Sequence, residues 1–221
     1  MTEKTDRLYL SLRTAVLHGE FAPRQALKPQ ELANRHGVSL AVAREALLRL
    51  VADGLAERLP NRGFAVPATG VERWHQIAEA RAALEPIMLR LAVERGDLEW
   101  EASVRAAHHR LAGTPVAEAS APGVISEAWS EAHRRFHRAL VEGSGNEVLL
   151  GIFDRLRIDS ELAMRWSARS GPHRDAAAEH LAIEEATLAR DADRAADLLR
   201  VHIDRTAETL TSAPDRTVRP V

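Results

Sequence analysis

Apolar positions along this chain return in two rhythms. Leu8, Leu12, Ala15 and Val16 recur three and four residues apart, the spacing of one buried helical face, and the pattern stops at Gly19. Pro23 and Pro29 bracket a short extended connection, and Pro29, Glu31, Leu32 and Ala33 open a second short helix that ends at Gly37. Ser39 is placed to cap a third helix, because its side-chain oxygen can accept from the amides two or three residues on. Ala43, Leu47, Leu50 and Val51 form the inward stripe of that helix, and Gly54 ends it. Between Leu55 and Pro67 the rhythm changes: two short segments flank a turn of Pro60, Asn61, Arg62 and Gly63, which predicts a small β-hairpin.

From Val71 onward no strand signal is found, only segments of 3.6-residue period separated by Gly, Pro or Asp. They predict helices over roughly 70–95 with Pro86 inside, 98–112, 123–143, 146–168, 173–190 and 193–211. Gly113 to Gly123 reads as the longest loop, and Gly143, Ser144, Gly145 and Asn146 as a capped turn between helices. The expected fold is mostly α. It has an N-terminal winged helix-turn-helix with a small β-hairpin over residues 1–67, an all-α helical bundle over 68–212, and a flexible tail at 213–221.

Composition narrows the function. The chain has no Cys, which excludes disulfides, thiolate metal sites and cysteine nucleophiles together. No apolar run approaches the roughly 20 residues a membrane span needs, and Met1 to Leu8 is charged rather than leader-like, so no membrane is expected and the location expected is cytoplasmic. A net charge of −2 hides an asymmetry about Pro67: residues 1–67 hold ten Lys or Arg against seven Asp or Glu, and the remainder twenty against twenty-five. A basic module at +3 is joined to an acidic one at −5.

Two short helices joined at Gly37 and Val38 and followed by a hairpin can lay the second helix in the major groove of double-stranded DNA. Arg44 and Arg49 lie on that helix, and Arg58 and Arg62 on the wing, where guanidinium forks suit phosphates or guanine edges. From Glu31 to Val66 the string ELANRHGVSLAVAREALLRLVADGLAERLPNRGFAV resembles the GntR family of bacterial regulators, in its FadR-like branch. The resemblance implies that Arg44 contacts DNA and that Arg62 and Gly63 approach the minor groove at the wing tip. It also exposes departures. The family usually opens its recognition helix with Ser-Arg-Thr-Pro-Val, whereas here Ser39 is followed by Leu40, Ala41, Val42 and Ala43, and a family Arg in the second helix is replaced by Gln30. An operator different from the common one is expected.

Ten His are many for this length, and His133 and His137 stand four apart, on one face of a helix. That spacing lets two imidazoles share an ion, although alone it is a weak signal. Residues 74–211 resemble the helical FCD ligand-binding domain, through Glu79 to Glu85, Phe136 to Leu140, Ser144 to Asn146, Glu179 with His180, and His202 with Ile203. Many such domains hold a divalent metal with one acidic residue or Asn and three His. The resemblance assigns the three His to His137, His180 and His202, and puts His133 where Asp is common. Such an all-imidazole set favours a divalent transition metal, Zn or Ni foremost, over Mg or Ca. Arg81 matches a family Arg that can meet the carboxylate of a bound effector, with a surface ion pair to Glu85 as its competitor. His75, His108, His109 and His173 match no mark and are expected in solvent.

The resemblance therefore implies a homodimeric regulator, more often a repressor, that binds a pseudo-palindromic operator and answers a small organic acid. Two rivals remain: a regulator for which the metal itself is the signal, and a metal-dependent helical-bundle enzyme. The enzyme would need an open coordination position and a placed acid or base.

Overall fold

The structure is a computed structural model that describes residues 3–17, 20–59, 63–67, 71–118, 121–167 and 175–211. Residue contacts divide it into two compact units, chiefly Met1–Gly70 and chiefly the residues from Val71 to Pro214.

In the first unit, α1 (Glu3–Leu17), α2 (Pro29–His36) and α3 (Leu40–Ala52) enclose a small core. Leu8, Leu12 and Val16 of α1, Leu32 of α2 and Ala43, Leu47 and Leu50 of α3 are all buried, and α1 and α2 each pack on α3. The turn between α2 and α3 closes on Gly37 at φ +62°, a left-handed conformation that a side chain would strain, and its amide caps carbonyls of α2. Ser39 then caps α3, its oxygen accepting from the Val42 amide at 3.3 Å.

The wing is a three-stranded antiparallel sheet rather than a lone hairpin. β2 (Glu57–Leu59) and β3 (Gly63–Ala65) pair as expected, with Arg58 opposite Phe64. β1 (Ala26–Leu27) adds a third strand on the other side of β3, with Leu27 opposite Phe64. Two residues are too few to show a period-two pattern, so this strand reads in sequence only as an extended connection. Its burial is what fixes it: Leu27, Phe64 and Val66 all enter the core.

The second unit is built on six helices: α4 (Val71–Arg95, with Pro86 inside), α5 (Leu98–Ala112), α6 (Glu127–Glu142), α7 (Glu147–Ser167), α8 (Ala176–Leu188) and α9 (Ala192–Thr211). Met88, Leu89, Val104, Phe136, Leu140, Phe153, Ile183, Leu199 and Ile203 fill the core between them. One expectation is corrected here. The segment read as loop and helix start contains an antiparallel pair, β4 (Ala117–Glu118) and β5 (Ala121–Ile125), so α6 begins at Glu127 and not near 123. Ser126 makes that boundary: its hydroxyl donates to the Pro115 carbonyl at 2.8 Å and accepts from the Trp129 amide at 3.1 Å.

Trp100 anchors α5 against α6 by donating its indole N–H to the Ala139 carbonyl at 2.8 Å. Gly96 and Gly143 leave room for that ring, since a Cβ would come within 2.1 Å of the indole at Gly96 and within 2.8 Å at Gly143. At the turn that follows, Gly145 takes φ +62°, and Asn146 caps α7 by accepting from the Val148 and Leu149 amides.

Candidate functional site

Two constellations were expected, one per unit. In the first, Gln30, Ser39 and Arg44 are exposed around the α2–α3 turn. Gln30 donates to the Asn34 side chain at 3.1 Å, and Arg44 makes no ion pair with any described residue. Gly63 stands at φ +88°, so the wing tip depends on a residue without a side chain there. Arg62 lies outside the described residues. Arg49 is placed differently from the expectation. Its guanidinium pairs with Asp6 at 2.5 Å and lies 4.4 Å over the Tyr9 ring, so it clasps α1 to α3 instead of joining the exposed face. Tyr9 in turn donates to Asp53 at the end of α3, and burial together with that carboxylate pushes the phenol up to about 12.

In the second unit, His133 and His137 come from α6, His180 from α8 and His202 from α9. All four are buried, and each offers a nitrogen within 4.8 Å of the others. The Nε2 atoms of His133 and His137 are 3.2 Å apart. That separation is close to the edge, about 3.3 Å, of a tetrahedron of nitrogens around Zn. Trp129 stacks on His133 with ring centroids 4.6 Å apart, and Phe136 meets His137 and His180 edge-on, so the cluster is walled by aromatic rings.

Desolvation, then the charge of Arg157, holds the pKa of both His133 and His137 well below the ordinary range. Both rings are therefore neutral at neutral pH, the form that ligates metal. His202 directs its Nδ1 to Glu179 at 2.9 Å, and Arg205 holds that carboxylate at 3.1 Å. A carboxylate taking the Nδ1 proton leaves the lone pair on Nε2, the usual support of a metal-bound imidazole. The buried Nδ1 of His137 has no hydrogen-bond partner among the described residues. Four imidazole nitrogens at this spacing, one already backed by a carboxylate, fit a borderline-soft divalent ion.

Arg81 is paired with Glu85, as the competing reading held, but the pair is buried rather than on the surface. The guanidinium donates to both carboxylate oxygens, at 2.5 and 3.3 Å, with side chains 6% and 1% exposed. Its field also reaches His133. A second buried guanidinium, Arg157 of α7, donates to Nδ1 of His133 at 3.3 Å. Neither Arg157 nor the part Glu179 plays is visible in any local pattern, since both depend on helices distant along the chain. His108 is a further correction: it is buried with its Nδ1 2.6 Å from a Glu184 carboxylate oxygen, while His75 and His109 are exposed and His173 lies outside the described residues.

The same two-part division appears when the chain is compared with known proteins. Residues 4–66 match the bacterial regulatory proteins of the gntR family, and residues 76–205 match the FCD domain. The chain is 32% identical over 203 residues to the HTH-type transcriptional repressor GlaR of Escherichia coli, covering 88% of this chain and 90% of GlaR. It belongs to the GntR family.

It is also 35% identical over 194 residues to the HTH-type transcriptional regulator BphR of Paraburkholderia xenovorans, covering 87% of this chain and 79% of that one. A putative GntR regulator from Rhodococcus sp. RHA1 shares the fold with TM-score 0.74 at 21% identity, covering 96% of this chain and 99% of that chain. This GntR chain is thus a transcriptional regulator, with a helix-turn-helix DNA-binding region followed by a helical FCD domain. Among the described residues, no helix is long and apolar enough to cross a membrane.

Proposed function

We propose that this regulator is a cytoplasmic homodimeric repressor whose affinity for a pseudo-palindromic operator is set by a small carboxylate effector bound beside a divalent transition metal, Zn or Ni. The observation that carries the proposal is the buried cluster of His133, His137, His180 and His202 with Arg81 and Arg157 buried in the same bundle. An ion and two guanidiniums in one enclosed region select an anion over a neutral analogue.

The four imidazoles would hold the ion, and the ion would supply a positive charge and, in an octahedral field, two further positions for carboxylate oxygens. Arg81, which forks onto the Glu85 carboxylate, would take an effector's carboxylate by the same fork. At the DNA, Arg44 would contact base edges or phosphate, with Ser39 and Gln30 beside it and Arg62 and Gly63 on the wing. The exposed Leu40 at the start of α3, 40% accessible, suits a thymine methyl better than a phosphate.

A second reading is favoured by the donor set itself. Four nitrogens complete a tetrahedron, so a bound Zn would have no open position and could act as the signal alone. Operator binding measured on metal-stripped, Zn-loaded and Ni-loaded protein, with and without a panel of small carboxylic acids, separates the two. An acid-dependent change that requires metal supports the proposed function. A change that follows metal alone supports metal sensing, and indifference to both defeats each.

A further inference from the structure

Arg157 makes the metal-free state of this site a particular one. A guanidinium only donates, so its contact with Nδ1 of His133 at 3.3 Å requires a lone pair on that nitrogen. The proton of a neutral His133 then sits on Nε2, and it points at Nε2 of His137, 3.2 Å away, which must accept it. His137 accordingly carries its own proton on Nδ1, the atom that has no partner among the described residues. The chain of donors is closed: Arg157 to His133, His133 to His137.

Ligation through the facing nitrogens needs the opposite arrangement at His133, with the lone pair on Nε2 and the proton on Nδ1. Two donors would then confront one another across the Arg157 contact. A carboxylate in place of His133 would not meet this conflict, because one oxygen could accept from Arg157 while the other ligated.

From this we infer that Arg157 and the metal compete for His133, and that metal loading ends the Arg157 contact with His133 and turns that donor toward the anionic effector. The inference rests on the proposed metal-and-acid reading of the same site. It makes Arg157 a specificity-determining residue beside Arg81, and it makes acid and metal bind cooperatively: an anion that draws Arg157 away also frees His133 for the ion.

The test uses the full-length protein stripped of metal, with Zn²⁺ titrated against a chromophoric chelator and acetate as the anion probe. Arg157→Met should bind Zn²⁺ about tenfold tighter than wild type, the worth of a lost hydrogen bond to a charged group. Simple charge repulsion would act alike whatever residue stands at position 133, so the same substitution is made beside His133→Asp. There the gain should shrink severalfold, and an undiminished gain would overturn the competition. Acetate should tighten Zn²⁺ binding in wild type and fail to do so in Arg157→Met. Equal tightening in both would remove Arg157 as the anion's anchor.

A measurement on the unmodified chain covers the case in which the variants misfold. Nitrogen-15 NMR of the imidazoles should show His133 protonated at Nε2 without metal and at Nδ1 with Zn²⁺, and protonation at Nδ1 in both states would overturn the inference. If wild type takes up no Zn²⁺, the metal reading falls and this inference with it. Uptake with unchanged affinity in Arg157→Met defeats this inference alone.

Discussion

At the scale of single residues, the chemistry turns on imidazoles kept neutral inside a helical bundle. His133 and His137 have folded-state pKa values held well below the ordinary 6.5, chiefly by desolvation and then by Arg157. The unfolded chain therefore binds more protons than the folded one as the pH falls below about 6.5, and stability falls with it. For metal-free protein, two such groups give a slope of up to about 2.7 kcal/mol per pH unit, until the pH reaches the depressed folded values. Thermal melts of stripped protein between pH 7.5 and 5 should show a steep loss of Tm, and a flat profile would mean the rings are already charged or solvated. Loaded protein should resist until protons displace the ion. On the metal itself, His137→Ala and His202→Ala should each reduce stoichiometric metal to near none by elemental analysis. Glu179→Gln, which leaves all four nitrogens but weakens the support of His202, should lower affinity about 10- to 100-fold.

At the scale of elements, α3 sends its two arginines to different surroundings, Arg44 to solvent and Arg49 onto α1. Arg44→Ala removes an exposed side chain that makes no ion pair with any described residue, so the melt should be unchanged while operator affinity falls by about 1–3 kcal/mol if the contact is bidentate to a base. Arg49→Ala should do the reverse. It breaks a half-exposed pair with Asp6 and the stack on Tyr9, so the melt should move to lower temperature, with DNA affinity of the folded fraction retained. The two side chains look alike in sequence, five residues apart on one predicted helix, and only the position of α1 separates them. The same limit explains the rest of what could and could not be read. Helices α4 to α9 were legible because their stripes persist over three turns or more, and the histidine set because a family pattern named it. The strand Ala26–Leu27 and the pair Ala117–Glu118 with Ala121–Ile125 were not, since short strands are fixed by partners far along the chain. Nor could a local pattern show that His108 is buried against Glu184, or that Gly143 is required by Trp100 as much as by the turn. Gly143→Ala should overpack that contact and cost about 1–3 kcal/mol in denaturant unfolding.

At the scale of the whole molecule, the proposed function requires a basic DNA-binding module and an acidic FCD module to exchange free energy. If a carboxylate effector changes operator affinity by some factor, DNA must change effector affinity by the same factor, typically 5- to 150-fold. The residue to probe is Arg81, but the structure alters how. Removing it alone would strand the Glu85 carboxylate, 1% exposed, and an unpaired buried charge can cost about 3–5 kcal/mol, enough to blur any regulatory effect with unfolding. Arg81→Gln made together with Glu85→Gln removes both charges, nearly keeps their volume and leaves two amides able to bond each other. This paired variant should retain its metal, its oligomeric state and effector-free operator binding, and should lose most of the effector response when DNA affinity is titrated with acid present. In wild type the converse titration, effector binding by calorimetry with and without operator, should show the matching factor. Should the paired variant respond to the acid as wild type does, Arg81 and Glu85 are a buried structural pair, and recognition of the carboxylate passes to the metal and the remaining cations of the bundle.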